Sequence, residues 1–253
     1  MPDHARTMLS RIKTYFRKSS VAFDEMKSPE DAYDLWAEQY DAQPDNLVLA
    51  MEEALFTEYT QDLPINGAVV ADIGCGTGRH WKRILEWKPA SLIGYDVSQG
   101  MLEQLKIKFP VASVVHQTDY RLPGLPDQSC DLILSTLALS HMENVYEVFS
   151  EWGRVLKPGG ELLITDYHPE ALRLGSYRTF RHGRRLMAVE SHAHPIAGLK
   201  KTAAEFGLEI MSSREKFIDD SVLSFYQKQN ALPLFEKFKG LPLLHALLLK
   251  KNA

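Results

Sequence analysis

The chain has 253 residues, 45% hydrophobic and 25% charged, the make-up of an ordinary soluble globular protein: one large domain, or a domain with a small appendage. A net charge of -4 and a pI of about 6.1 argue against a dedicated nucleic-acid binder, whose affinity comes from neutralising phosphates. No apolar run is long enough to span a bilayer, the opening MPDHARTMLSRIKTYF lacks the apolar core of a signal peptide, and Cys75 and Cys130 form neither a metal-ligand spacing nor a disulfide framework, so a reducing cytoplasm is the simplest compartment.

The first quarter reads as helical. Ser28-Pro29-Glu30-Asp31 is a helix start, with a capping hydroxyl, a proline that fits the first turn and acids that complement the dipole. Tyr33, Trp36, Ala37 and Tyr40 then share one face at i, i+3, i+4 and i+7. By itself such a stripe reads as packing. From Ala68 the pattern changes to short apolar runs alternating with amphipathic helices. The runs are Ala68 to Ile73, Leu92 to Asp96, Ala112 to His116, Asp131 to Ser135 and Leu162 to Asp166. Met101, Leu102, Leu105 and Phe109 make one intervening helical face, and Val145, Val148, Phe149, Trp152 and Val155 another. This alternation predicts an α/β fold with a mostly parallel sheet covered on both faces. Lys157-Pro158-Gly159-Gly160 stops a helix and feeds the next strand. Past Thr202 come a helix, a strand near Leu208 to Met211, another helix and a closing apolar run, Pro242 to Leu249, whose periodicity fits a strand or a helix.

The informative segment is Val69-Val70-Ala71-Asp72-Ile73-Gly74-Cys75-Gly76-Thr77-Gly78, a buried strand running into glycines and then a helix near Arg79. Glycines there allow a tight turn and the close approach of a ligand at the carboxyl end of a strand. The spacing differs from the dinucleotide fingerprint: the third glycine comes one residue early, and Arg79 stands in its place. The Gly-Lys-Ser/Thr of a nucleotide-triphosphate loop is also missing. Asp96 ends the second strand about 20 residues on, where a ribose-binding acid belongs.

With this loop and acid, the sequence resembles the class I S-adenosylmethionine-dependent methyltransferases, and within them the small-molecule branch that includes ubiquinone and menaquinone biosynthesis enzymes. The resemblance runs from about Tyr33 to Asp166 and rests on several motifs in order. Asp72 to Gly78 resembles the family's first motif, and Asp96 its ribose acid. Asp119-Tyr120 with Leu125 to Asp131 resembles the segment bordering the adenine, and Leu156 to Gly160 the turn before strand five. Tyr33-Asp34-Leu35-Trp36-Ala37 is similar to a cap segment of these enzymes. The resemblance implies a Rossmann-like, doubly wound, seven-stranded, mostly parallel sheet over residues 61–253, with an N-terminal helical cap over 1–60. It also implies S-adenosylmethionine as cofactor, held by Tyr33, Trp36, Asp72, Gly74, Cys75, Gly76, Gly78, Asp96, Val97, Met101, Asp119, Tyr120 and Ser135.

The chemistry suits these residues. The cofactor carries no phosphate, so no phosphate-binding lysine is needed. Asp72 can receive the ammonium of the methionine tail, loop amides its carboxylate, Asp96 both ribose hydroxyls and Asp119 the adenine amino group, with Tyr120 along the ring. Tyr33 and Trp36 can offer aromatic faces to the sulfonium. Methyl transfer is an in-line displacement that needs alignment and exclusion of water, and a base only if the nucleophile arrives protonated. His141, after the fourth strand, and His168, after the fifth, are the candidate bases. Their structural alternatives are a helix cap for His141 and a turn for His168. No metal site is expected. Arg173, Arg178, Arg181, Arg184 and Arg185, with Tyr177, Phe180 and Met187 between them, reverse the charge of an acidic chain. They read as a grip on an anionic acceptor, as a solvated hairpin around His182-Gly183, or as a face toward RNA, which the overall acidic charge disfavours. The expected activity is methylation of a small-molecule acceptor by a monomer or homodimer. A protein or RNA methyltransferase and a non-catalytic cofactor-binding module are the alternatives.

Overall fold

The computed structural model describes residues 23–43 and 46–253. The opening stretch examined for a signal peptide, and the first part of the expected cap, lie outside them. The described chain begins with β1 (Glu25–Lys27) and α1 (Pro29–Trp36). Ser28 caps α1, its hydroxyl accepting from the Asp31 amide at 3.2 Å, and Pro29 sits in the first turn. Helix α2 (Leu47–Thr60) is capped by Asn46, which accepts from the Leu49 amide at 3.1 Å. It buries Met51, Leu55, Phe56 and Tyr59 in the main core. The boundary expected after residue 60 thus closes a helix that packs with the main domain.

The five apolar runs form β2 (Val69–Ile73), β3 (Ser91–Asp96), β4 (Ser113–His116), β5 (Cys130–Thr136) and β6 (Leu156–Tyr167), paired in parallel. Between them lie α3 (Trp81–Glu86), α4 (Gln99–Lys108) and α5 (Val145–Val155). Strand β6 starts earlier than its apolar run, because Lys157-Pro158-Gly159-Gly160 forms an irregular extended lead-in. The register there jumps from Cys130 opposite Leu156 to Leu132 opposite Glu161. Next come α6 (Pro169–Arg173), the hairpin β7 (Thr179–His182) and β8 (Arg185–Val189), α7 (Ile196–Glu205) and β9 (Leu208–Phe217). Helices α8 (Leu223–Lys228) and α9 (Leu232–Phe238) precede the last strand, β10 (Pro242–Lys251), so the closing apolar run is a strand.

The central sheet has seven strands in the order β4-β3-β2-β5-β6-β10-β9, with β10 antiparallel to both neighbours. Alternate residues of its strands enter opposite cores, as the two-residue period of a strand requires. Val70, Leu132, Leu134 and Leu163 lie in one core, and Ala71, Ile133, Leu162 and Ile164 in the other. This is the mostly parallel, Rossmann-like sheet implied by the sequence. A second, three-stranded sheet, ordered β1-β8-β7, stands apart from it. Helix α1 packs on this small sheet, where Ala32 and Trp36 meet Phe180, Met187 and Val189. No helix among the described residues is long and apolar enough to cross a membrane.

Candidate active site

Strand order reverses about β2, and the loops leaving the carboxyl ends of β2, β3, β4 and β5 surround a cavity of about 520 Å³. Open α/β sheets hold ligands at such a switch point. Gly74, Gly76, Asp96, Val97 and Met101 line it, together with Asp119, Tyr120 and His141. Ser28, Pro29, Tyr33 and Tyr40 bring the cap over the cavity. A smaller recess of about 30 Å³ shares Tyr40, Gly74 and Gly76 with it and adds Asp72, Cys75, Thr77 and Arg79.

The glycines of the loop have different duties. A side chain at Gly74 would collide with Ala138, so the loop after β2 can touch the loop after β5 only without one. Gly76 has a φ of +52° and faces open space, which leaves a cradle for a ligand. Gly78 packs instead, with Leu105 and Trp81 against the place a side chain would occupy.

Asp96 braces this loop. One carboxylate oxygen accepts from the Gly76 amide at 2.7 Å and the other from the Ser98 amide at 2.9 Å. Burial pushes its carboxyl up to about 6, against those two bonds. Asp72 accepts from the Trp81 indole N–H at 2.8 Å, and burial pushes its carboxyl up to about 7. Arg79, across the recess from it, pairs with the fully buried Glu52. Glu52 also meets His80 Nε2 at 3.1 Å and accepts from the Thr165 hydroxyl at 2.7 Å. Burial alone would raise the Glu52 carboxyl, but Arg79 and His80 outweigh it and hold the group at about 2.

Helix α1 divides the aromatic stripe. Tyr33 and Tyr40 line the cavity, whereas Trp36 lies one layer back, stacked on Phe180 at 4.8 Å between ring centres. Two acids that the sequence reading passed over tie the cap down. Asp34 accepts from the Ser98 hydroxyl at 2.6 Å and the Gly100 amide at 2.9 Å. Asp41 accepts from the Thr77 hydroxyl at 2.7 Å and from Lys108 at 2.7 Å.

His141 is bonded through both ring nitrogens. Nδ1 lies 2.7 Å from the Glu190 carbonyl oxygen, which can only accept, so Nδ1 carries the hydrogen. Nε2 therefore accepts from the Tyr33 hydroxyl at 2.9 Å. Burial lowers the ring to about 4, which keeps it neutral near pH 7. Asn144, not His141, caps α5. His168 lies outside the cavity and caps α6, its Nδ1 accepting from the Glu170 amide at 3.2 Å. Asp119 is exposed and accepts from the Arg121 amide at 2.8 Å, and the Tyr120 hydroxyl accepts from the Asn144 amide at 3.2 Å. Ser135 is buried within β5, and its hydroxyl has no hydrogen-bond partner among the described residues.

The five arginines separate as well. Arg173, Arg181, Arg184 and Arg185 are exposed, and Arg185 pairs with Glu25 at 3.0 Å. Arg178 alone turns inward and is 4% exposed. The sequence reading also missed Leu137, which lines the cavity at the end of β5 with a φ of +56°. A leucine in the left-handed region has no sequence signature.

Residues 71–164 match the family described as a methyltransferase domain. The biotin biosynthesis bifunctional protein BioHC of Teredinibacter turnerae is 26% identical, over 85% of this chain and 39% of its own length. A malonyl-[acyl-carrier protein] O-methyltransferase of Marinomonas sp. is 35% identical, over 53% of this chain and 49% of its own. The chain thus spans less than half the length of these two curated relatives. The crystal structure of a putative S-adenosylmethionine-dependent methyltransferase from Listeria monocytogenes superposes with a TM-score of 0.62 at 19% identity, covering 81% of this chain and all of that one.

Proposed function

We propose that this chain, whose residues 71–164 match a methyltransferase domain, is a class I S-adenosylmethionine-dependent methyltransferase that methylates a small organic acceptor, free or linked to a carrier. The observation that carries the reading is the join between recess and cavity. The recess offers a carboxylate, Asp72, and a guanidinium, Arg79, to a zwitterionic tail, and the cavity offers Asp96 at the point a ribose would reach. Gly76 leaves the space between them open. Val97, Met101, Asp119 and Tyr120 would flank the adenine, and Cys75 the tail. Gly74, Gly78 and Ser135 would act by shaping the loop and strand beneath.

When bound, the cofactor supplies a methyl group already activated on a sulfonium. The protein's own task is to orient the acceptor and keep water out. Tyr33 and Tyr40 roof the cavity, held by the Asp34 and Asp41 tethers. His141 has no nitrogen free for an acceptor proton, because both are engaged. Its role in this reading is to fix the Tyr33 hydroxyl, which then presents an oxygen to the acceptor. This arrangement favours an acceptor whose nucleophilic atom arrives without its proton. His168 acts only through the turn it caps. The protein works in the cytoplasm in this reading.

The test is transfer from methyl-labelled S-adenosylmethionine into three fractions: metabolite extract with acyl-carrier proteins, bulk RNA and other bulk protein. Label is expected in the first. Label confined to RNA or bulk protein would contradict the proposed acceptor class.

A further inference from the structure

A charge buried without an opposite charge is expensive, and native proteins seldom leave one so. Arg178 is in that position. It precedes β7, is 4% exposed, and makes no ion pair with a carboxylate among the described residues. Its surroundings are aromatic and hydroxylic. The guanidinium lies over the Trp36 ring at 5.0 Å and the Tyr40 ring at 5.6 Å. Its polar contacts to Tyr40 and Gln43 are long, 3.4 Å to the Tyr40 hydroxyl and 3.5 Å to Gln43 Oε1, and the Tyr167 hydroxyl is a third hydrogen-bonding partner. A guanidinium has five N–H donors in a planar fork. Three neutral partners, two of them distant, leave part of that capacity and all of the charge unmatched.

Arg178 lies beside the cavity, one side chain behind its lining. Tyr40, which lines the cavity, contacts Arg178 directly, and Tyr33 and His141, also in the lining, feel its charge. The group therefore lies directly behind the part of the cavity wall that Tyr40 forms. The other four arginines of the segment are exposed, so the charge reversal seen in the sequence concentrates on a single side chain. Its aromatic setting lowers the cost of holding a cation, and among the described residues no anion completes the pair.

We propose that Arg178 is the receptor for a carboxylate of the methyl acceptor, which displaces the long Tyr40 and Gln43 contacts and takes a two-pronged grip on the guanidinium. The inference rests on the methyltransferase reading and names the class of its acceptor: an organic acid with an apolar body that lies along Tyr33 and Tyr40. Fork-to-fork pairing gives orientation as well as affinity, so the same contact sets which atom of the acceptor faces the methyl group.

The experiment follows the Arg178 Nε–H signal in protein labelled with nitrogen-15 arginine, assigned by its loss in Arg178→Lys. Acetate, malonate and benzoate are titrated at constant ionic strength, with chloride and benzamide as controls, with and without S-adenosylhomocysteine. A saturable shift with at least one carboxylate, absent with chloride and benzamide, is expected. The carboxylate-dependent rise in Tm should also fall at least tenfold in potency in Arg178→Lys, with S-adenosylhomocysteine affinity kept within about twofold. No saturable shift from any of the three carboxylates, or an equal shift from benzamide, would overturn the proposal. Assignment of the same signal in the wild-type protein by its contacts to the Trp36 ring protons keeps the test independent of whether the variant folds. Failure to bind S-adenosylhomocysteine would instead count against the methyltransferase reading, and the carboxylate titration of the free protein is scored separately from it.

Discussion

Asp72 sits with its carboxylate against the Trp81 indole and burial lifting its titration to about 7. A buried acid of this kind is ionised only at some cost near neutral pH, and an incoming ammonium removes that cost. The sign follows directly. The proposed ligand binds the ionised form, so affinity for S-adenosylhomocysteine should rise with pH up to about 7 and then level. Binding should release a proton on the acid side of that point. Asp72→Asn should flatten the rise. Calorimetry in buffers of different ionisation heat, between about pH 5.5 and 7.5, measures both effects. An unchanged pH profile in the variant would remove Asp72 from contact with the tail. The same group affects the empty protein in the opposite direction. Its folded-state titration lies above the ordinary carboxylate value, so its contribution to stability is present at low pH and lost as pH rises toward 7. His141 works the other way. Its ring is held down to about 4, so its contribution is present above the ordinary histidine value and lost as pH falls toward 4.

At the level of elements, the cap depends on two kinds of contact, and they can be separated. Trp36 holds α1 to the β7–β8 hairpin through Phe180 and the overlying Arg178. Tyr33 and Tyr40 face the cavity. Trp36→Ala should therefore loosen residues 28–42 and 179–189 together, by about 3 kcal/mol of local stability. Faster hydrogen exchange in both segments, with or without ligand, is the expected outcome. S-adenosylhomocysteine should slow exchange over residues 28–42 in the wild-type protein and in Tyr33→Phe, since the Asp34 and Asp41 tethers remain. Equal exchange with and without ligand would mean that the cap only packs. This division was not legible in the stripe. Periodicity places Tyr33, Trp36 and Tyr40 on one side of a helix. It does not say that this side straddles two neighbours, because the hairpin meets α1 only through long-range contacts, β1 pairing with β8 from the far end of the chain.

For the molecule as a whole, the legible parts were those fixed by local chemistry. Val69–Ile73 read as an interior strand because both its faces are covered, and the place of Asp96 beside the glycine loop was legible because strand length and loop length set its distance from the glycines. The strand edges at Lys157 to Gly160 were less legible, since a bulge continues the pairing through residues that look like a stop. Arg178 was hidden in a charged run whose other members face solvent, and burial of one among five depends on the hairpin's docking. All of these features converge on one claim, that the cavity at the switch point is built for S-adenosylmethionine. Isothermal calorimetry with S-adenosylhomocysteine and with NAD, on the wild-type protein and on Asp96→Ala, tests it most directly. The account predicts binding of S-adenosylhomocysteine, no measurable binding of NAD, and a loss of about 2–3 kcal/mol in Asp96→Ala. Binding of NAD in preference to S-adenosylhomocysteine, or an affinity unchanged by Asp96→Ala, would contradict it.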